Sequence, residues 1–224
     1  MNKDIILASK SETRIKLLTN AGIKFKSVTH SVDENEIKLS MSSSTPEEVV
    51  VKLAEMKALK TSASNLDHFV IGSDQGLDLN GELINKAKDK DEAKAQLIKM
   101  SGTIHTLITV TTVAQNNRII WKHVDRSKMK MRELKENQIT EYLDGVDDKV
   151  LNLVGVYAIE EEGLKLFEYL QGDLFSIQGI SMIQLCQFLW DNNMLFEKHV
   201  IYKNSSYWPP GGPQFVTHHT QLLD

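Results

Sequence analysis

Four groups of residues carry side chains that could work on a phosphate. Ser9, Ser11 and Arg14 stand where a short apolar run, Ile5-Ile6-Leu7-Ala8, gives way to a helical pattern. Backbone amides at a helix start attract anions, and hydroxyls with a guanidinium can complete a phosphate pocket. The plainer reading makes Ser9 a cap and Arg14 a solvated helix residue. Asp33-Glu34 lies just past a second strand, and Asp74 stands in Ile71-Gly72-Ser73-Asp74-Gln75, directly after an apolar run. An acid so placed points into the crevice where α/β sheets bind ligands, and Gly72 allows close backbone approach. These acids also read as a turn residue and a surface charge pair. Lys57 and Lys86 are compact charges suited to phosphate oxygens, or else two solvated lysines among 26 basic residues.

Such residues need elements to place them. Residues 4–8 read as a buried strand. Ser9 with Glu12 three positions on has the form of a capping box, so a helix is expected from there. Ile15, Leu17, Leu18 and Ala21 form its apolar face, and Gly22 ends it. Phe25 to Val28 is a second strand, and the polar stretch from Asn35 to Ser44 reads as a mobile loop. Thr45, Pro46, Glu47 and Glu48 start a strong helix, whose core face holds Val49, Val50, Leu53, Ala54 and Met56. Phe69-Val70-Ile71 is a buried strand, and Asn80-Gly81 a hairpin turn. A helix is expected over about 91–100, then two alternating strands over about 104–114 and 118–131, joined at Asn116-Asn117. A short helix from Glu136 to Leu143, a strand at Val156-Tyr157-Ala158 and a closing helix from Ile180 to Trp190 complete the α/β pattern. Residues 1–194 read as one domain. Residues 195–224 read as an appended tail, since Pro209, Pro210 and Pro213 among glycines cannot continue a helix or a central strand.

Bulk composition narrows the classes. The chain has 224 residues, 41% hydrophobic and 25% charged, which is ordinary for a globular protein. At this size roughly 70% of the unfolded surface is buried on folding, so no disulfide or structural metal is required. Cys186 has no second cysteine to pair with, which argues against an oxidising compartment and a cysteine-based metal site. No stretch approaches about 18 apolar residues, so a cytoplasmic protein with no membrane partner is expected. A net charge of -4 gives no reason to expect a nucleic-acid polymer, while a small anion held by a few lysines stays open. His105 fits a core hydrogen bond better than a cleft contact, and His218-His219 near the end make a poor metal site.

Several motifs recur in a fixed order. Leu7-Ala8-Ser9-Lys10-Ser11 with Arg14 and Leu17-Leu18 leads to Ala21-Gly22-Ile23. Val32-Asp33-Glu34, Leu53-Ala54 with Lys57-Ala58, and Val70 to Gln75 follow, then Lys86, Glu92-Ala93, Leu97, Ser101-Gly102, His105 and Thr109. Gly155, Gly163 to Glu168 and Gly172-Asp173 close the series. Over roughly residues 3–190 this order resembles the Maf-like nucleotide pyrophosphatases. The resemblance implies a single α/β domain around a long, strongly twisted mixed sheet with a deep cleft. It also implies a homodimer and hydrolysis of a nucleoside triphosphate to monophosphate and pyrophosphate. Three positions that go with base preference in the family fall on Thr13, Gln75 and Glu160. Gln75 with Glu160 looks like the branch acting on 7-methyl-GTP, and a carboxylate at Glu160 could accept from guanine N1 and the exocyclic amine. Thr13 departs from the bulky Arg or Trp usual in these branches, Ala87 from a proline and Val110 from a glycine.

What that resemblance implies can be put as chemistry. Asp74 and Glu34, with Asp33 as a further carboxylate, are expected to hold one Mg²⁺ or Mn²⁺ on the triphosphate, since hard oxygens suit those ions. Arg14, Lys57 and Lys86 would cradle phosphate oxygens and offset charge on the leaving pyrophosphate. Asp74 is also the candidate base for the attacking water. A tight metal ligand is not a free base, so one of these roles falls to Glu34. Two other functions compete: a non-catalytic nucleotide-binding regulator, since family members have been linked to septum formation, and a phosphohydrolase releasing orthophosphate.

Overall fold

The long alternating segments pair with one another and make the frame of the molecule. The computed structural model describes residues 4–196, so the expectations for the tail, including His218-His219, lie outside the described residues. β3 (Phe69–Leu79), β5 (Ile104–Gln115) and β6 (Arg118–Met131) run as antiparallel neighbours through a seven-stranded mixed sheet. β1 (Ile5–Leu7) is parallel to β3, and β2 (Lys26–Ser27) is parallel to β1 at one edge. β7 (Phe167–Gln171) pairs with β6 at the other edge. β4 (Glu82–Ile84) folds back on the end of β3 through Asn80-Gly81, whose φ angles of 55° and 87° make the expected tight turn.

One edge of β3 is interrupted. β1 follows it only to Ile71, and β4 joins it only at Leu77. Between those points β3 has a strand neighbour on its β5 side alone, among the described residues. Successive side chains of a strand point to opposite faces, so this open stretch can be approached from both faces of the sheet.

Helices cover those faces. α1 (Glu12–Asn20) and α7 (Met182–Asp191) bury Leu18, Leu185 and Leu189 with Leu7, Ile71 and Val113. α3 (Pro46–Ser62) lies on the other face, with Val50 and Ala54 against Ile108 and Val110. Its start is the expected capping box: the Glu48 carboxylate accepts from the Thr45 N–H at 2.7 Å, and Thr45 Oγ1 accepts from the Glu48 N–H at 3.3 Å. α3 sits close because a Cβ on Gly72 would fall 2.5 Å from the Ala54 carbonyl oxygen. α4 (Lys90–Met100) and α5 (Glu136–Gly145) supply Leu97, Met100, Ile139 and Leu143 to a further core with Met129 and Met131.

The chain departs from its sequence pattern in four places. α1 is capped by Ser11, not Ser9: Ser11 Oγ accepts from the Arg14 N–H at 3.4 Å, while the buried Ser9 accepts from the Ser11 N–H at 3.1 Å. The expected loop from Asn35 to Ser44 is mostly a helix, α2 (Glu34–Ser40), followed by a turn. Asp33 caps it, and Glu34, Glu36 and Lys38 complement its dipole. The strand expected at Val156-Tyr157-Ala158 does not form, because Gly155 and Val156 take φ values of 78° and 61° and break the extended run. β7 was not expected; only Phe167 in it is buried, and it is held by backbone pairing.

His105 is a core residue, as expected. It is 1% exposed, with Nε2 2.8 Å from the Tyr157 hydroxyl and its ring against Phe167. Burial pushes its pKa down to about 4, so the imidazole stays neutral near pH 7. No helix among the described residues is long and apolar enough to cross a membrane.

Candidate active site

The gap in the edge of β3 is where the candidate residues converge. A cleft of about 710 Å³ opens there. Ser9, Ser11, Thr13 and Arg14 line it from the start of α1, and Glu34 and Lys57 from α2 and α3. Asp74 and Gln75 come from β3 itself, with Lys86 and Glu160 from loops.

Asp74 points to the α3 face, where Lys57 meets it. Lys57 Nζ donates to Asp74 Oδ1 at 2.6 Å and lies 2.8 Å from Glu34 Oε1. Lys57 is 4% exposed, so water screens these pairs weakly. The close seat of α3 sets the reach, since Ala54 and Ala58, on either side of Lys57, are the residues that touch Gly72. Glu34 is fixed by its place in the first turn of α2. Burial pushes the Glu34 carboxyl up, but Lys57, helped by Lys86 and Lys38, outweighs burial and holds it below the usual carboxylate range. His30 completes this corner: its Nδ1 accepts from the Val32 N–H at 3.4 Å, which places its proton on Nε2, 3.9 Å from Glu34 Oε1.

Cationic groups surround the acids. Arg14 Nε donates to the Gly179 carbonyl at 2.7 Å, and its terminal nitrogens have no partner among the described residues. The N–H groups at the start of α1 border the same space, where a phosphate is favoured. Lys86 stands exposed at the rim with no ion pair among the described residues.

The acids can be tested as metal ligands. Asp74 Oδ2 and Glu34 Oε2 are both free of Lys57, so each carboxylate retains one oxygen. No group of three or more His, Cys, Asp or Glu among the described residues could hold a metal ion. Magnesium is commonly held by one or two carboxylates together with substrate phosphates and water. The pair therefore fits a cation that binds with a nucleotide and does not form a cage of its own. Asp33 does not fit as a further ligand. Its Oδ1 accepts from the Glu36 N–H at 3.0 Å as the α2 cap, and it does not line the cleft.

Gln75 turns to the opposite face. There Thr13, Gln75 and Glu160 share a recess of about 40 Å³ with Gln178, Leu153 and Val154. Gln75 Nε2 donates to Thr109 Oγ1 at 2.9 Å and to the Ser176 and Ile177 carbonyls at 3.0 Å each. The three positions that the resemblance ties to base preference are thus one place in space. His30 and Gln178 were missed from sequence. A histidine four residues before Glu34 was a usable signal for the first, whereas nothing local marks Gln178, which precedes Gly179 in a one-turn segment.

Comparison with known proteins adds a second line of observation. The family model described as Maf-like protein matches residues 4–192. A protein of Caulobacter vibrioides named nucleoside triphosphate pyrophosphatase is 39% identical over 187 residues, 83% of this chain and 94% of the relative. One of Brucella suis biovar 1 named 7-methyl-GTP pyrophosphatase is 40% identical over 187 residues, again 83% of this chain and 94% of the relative. Among solved structures, the Ham1 protein of Staphylococcus aureus aligns at 16% identity with a TM-score of 0.42, covering 85% of this chain and 100% of that one.

Proposed function

The chain belongs to the Maf-like protein family, and we infer that its cleft hydrolyses a nucleoside triphosphate to the monophosphate and pyrophosphate. The observation that carries this reading is the buried Lys57 bridging Asp74 and Glu34 beside Arg14. Such a constellation contributes little to stability, because even a well-paired buried salt bridge rarely offsets the desolvation of its charges. A triphosphate brings about four negative charges, which Arg14, Lys57 and Lys86 offset in the ground state and on the departing pyrophosphate. Asp74, steadied through Oδ1, keeps Oδ2 for the proton of the attacking water. With Asp74 in that role, Glu34 would be the carboxylate that holds, together with the triphosphate, a Mg²⁺ or Mn²⁺ supplying Lewis acidity at the phosphates.

The nucleotide is proposed to be 7-methyl-GTP or a close relative. Glu160 presents an acceptor carboxylate at the recess, which suits the N1 and exocyclic N–H groups of guanine and the positive charge of its methylated ring. The name of the Brucella relative agrees with this choice. Homodimeric assembly and a cytoplasmic location belong to the same proposal, on the strength of the family resemblance.

The test is product analysis with 7-methyl-GTP, GTP, UTP, dTTP and CTP, each with Mg²⁺, Mn²⁺ or a chelator. Pyrophosphate from at least one triphosphate, and only with metal, is the expected result. Orthophosphate as the product, or binding without turnover across the panel, would remove the reading.

A further inference from the structure

We propose that Asp125, which does not line the cleft, is a positioning residue for base selection: through Ser176 it fixes which end of the Gln75 amide faces the nucleotide. The inference rests on the reading of the recess as the base site.

The geometry comes from strand register. Gln75 of β3 pairs with Thr109 of β5, and Thr109 pairs with Asp125 of β6. Directly paired residues share a face, so the three side chains form one row across three strands. α6 (Leu174–Ile177) brings Ser176, 1% exposed, to this row, and Ser176 bonds to every member. Its carbonyl oxygen accepts from Gln75 Nε2 at 3.0 Å and from Thr109 Oγ1 at 2.7 Å, and its hydroxyl donates to Asp125 Oδ2 at 2.6 Å. Asp173 Oδ1 accepts from the Ser176 N–H at 2.8 Å and lies 3.0 Å from the Ser176 hydroxyl. His123 Nε2 is 3.2 Å from Asp125 Oδ1 and steadies the acid.

The row decides the amide's orientation. Gln75 faces two carbonyl oxygens and a threonine hydroxyl whose proton is already given to Ser176. An amide oxygen turned toward them would meet only lone pairs, so the nitrogen must lie there. Oε1 is left toward the recess with no hydrogen-bond partner among the described residues, and it can only accept. Gln75 therefore selects a base edge that offers an N–H. α6 is a single turn and cannot hold its own place, so its short bond to the Asp125 carboxylate on β6 ties the carbonyls down.

The experiment measures pyrophosphate release by the full chain on the same nucleotide panel, for Asp125→Ala, Asp125→Asn, Ser176→Ala and Gln75→Ala. In Asp125→Ala the ratio of kcat/KM between the most and least favoured nucleotide is expected to fall about fivefold to tenfold, the scale of one ordinary hydrogen bond at the Gln75 amide. The change should lie in KM, with kcat within about twofold. Ser176→Ala should repeat it, and carries the test if Asp125→Ala does not fold. Asp125→Asn should recover most of the ratio, because its amide oxygen accepts the same hydroxyl. An altered ratio in Gln75→Ala beside an unaltered one in Asp125→Ala and Ser176→Ala would overturn the strut while sparing the base site. No change in Gln75→Ala would overturn the base site and the inference together. Equal loss of kcat on every nucleotide in Asp125→Ala, unrecovered in Asp125→Asn, would mark a merely structural residue and overturn the inference.

Discussion

Asp74 and Gln75 are neighbours in sequence, yet they serve opposite faces of β3 and are held by opposite means. On the α3 face, ionised side chains from β3, α2 and α3 hold one another, with Lys57 only 4% exposed between two carboxylates. On the α6 face, a neutral amide is held by the backbone carbonyls of Ser176 and Ile177 and by Thr109. The difference separates two kinds of work. Charged groups in a poorly screened site stabilise charge that develops during reaction. A fixed neutral acceptor discriminates, because a base that cannot donate leaves it unpaired. One strand with an open edge can thus present reactivity and selection through consecutive residues.

The division can be broken most decisively at Asp74. Asp74→Asn should lower turnover at least about a hundredfold on every nucleotide, with the order of preference intact. A rate near wild type, or a reordered panel, would abolish the division. Next comes the seat of α3. Gly72→Ala places a Cβ 2.5 Å from the Ala54 carbonyl oxygen and should cost about 1–3 kcal/mol of stability in denaturant titration, with turnover falling as Lys57 is displaced. Loss of stability without loss of turnover would show that the seat of α3 does not set the Lys57–Asp74 contact. Glu160→Gln is expected to change the guanine-to-pyrimidine ratio about tenfold while leaving kcat on the best nucleotide within about twofold. A constant ratio would take Glu160 out of base reading. The smallest effect is expected at Asp33. Asp33→Ala should cost about 1 kcal/mol as a lost helix cap and change turnover little; a collapse of activity would restore it as a ligand.

The charged half of the site was legible in the sequence because its residues are unusual for their places. Acids follow apolar strands, and lysines recur in a fixed order with glycines and serines. Thr45-Pro46 announced α3, and Asn80-Gly81 announced the turn into β4, since caps and tight turns are made by residues within three or four positions of one another. α2 escaped notice because it buries no residue and so has no apolar periodicity to read. The missed break at Gly155-Val156 has a similar cause: a β-branched residue at positive φ is disfavoured locally and is held by its surroundings, including the Tyr142 hydroxyl that donates to the Val156 carbonyl.

The amino-acid sequence by itself therefore determined most of the strands and helices, the family, and the identity of the charged groups. Their signals are local in the chain or carried by residue type. Only the tertiary structure decided that Lys57 joins Asp74 to Glu34 and that Gln75 presents its oxygen. The second decision depends on carbonyls 101 and 102 positions away. Every residue except proline brings the same peptide N–H and C=O to such a network, so no side-chain pattern can announce where those groups will meet.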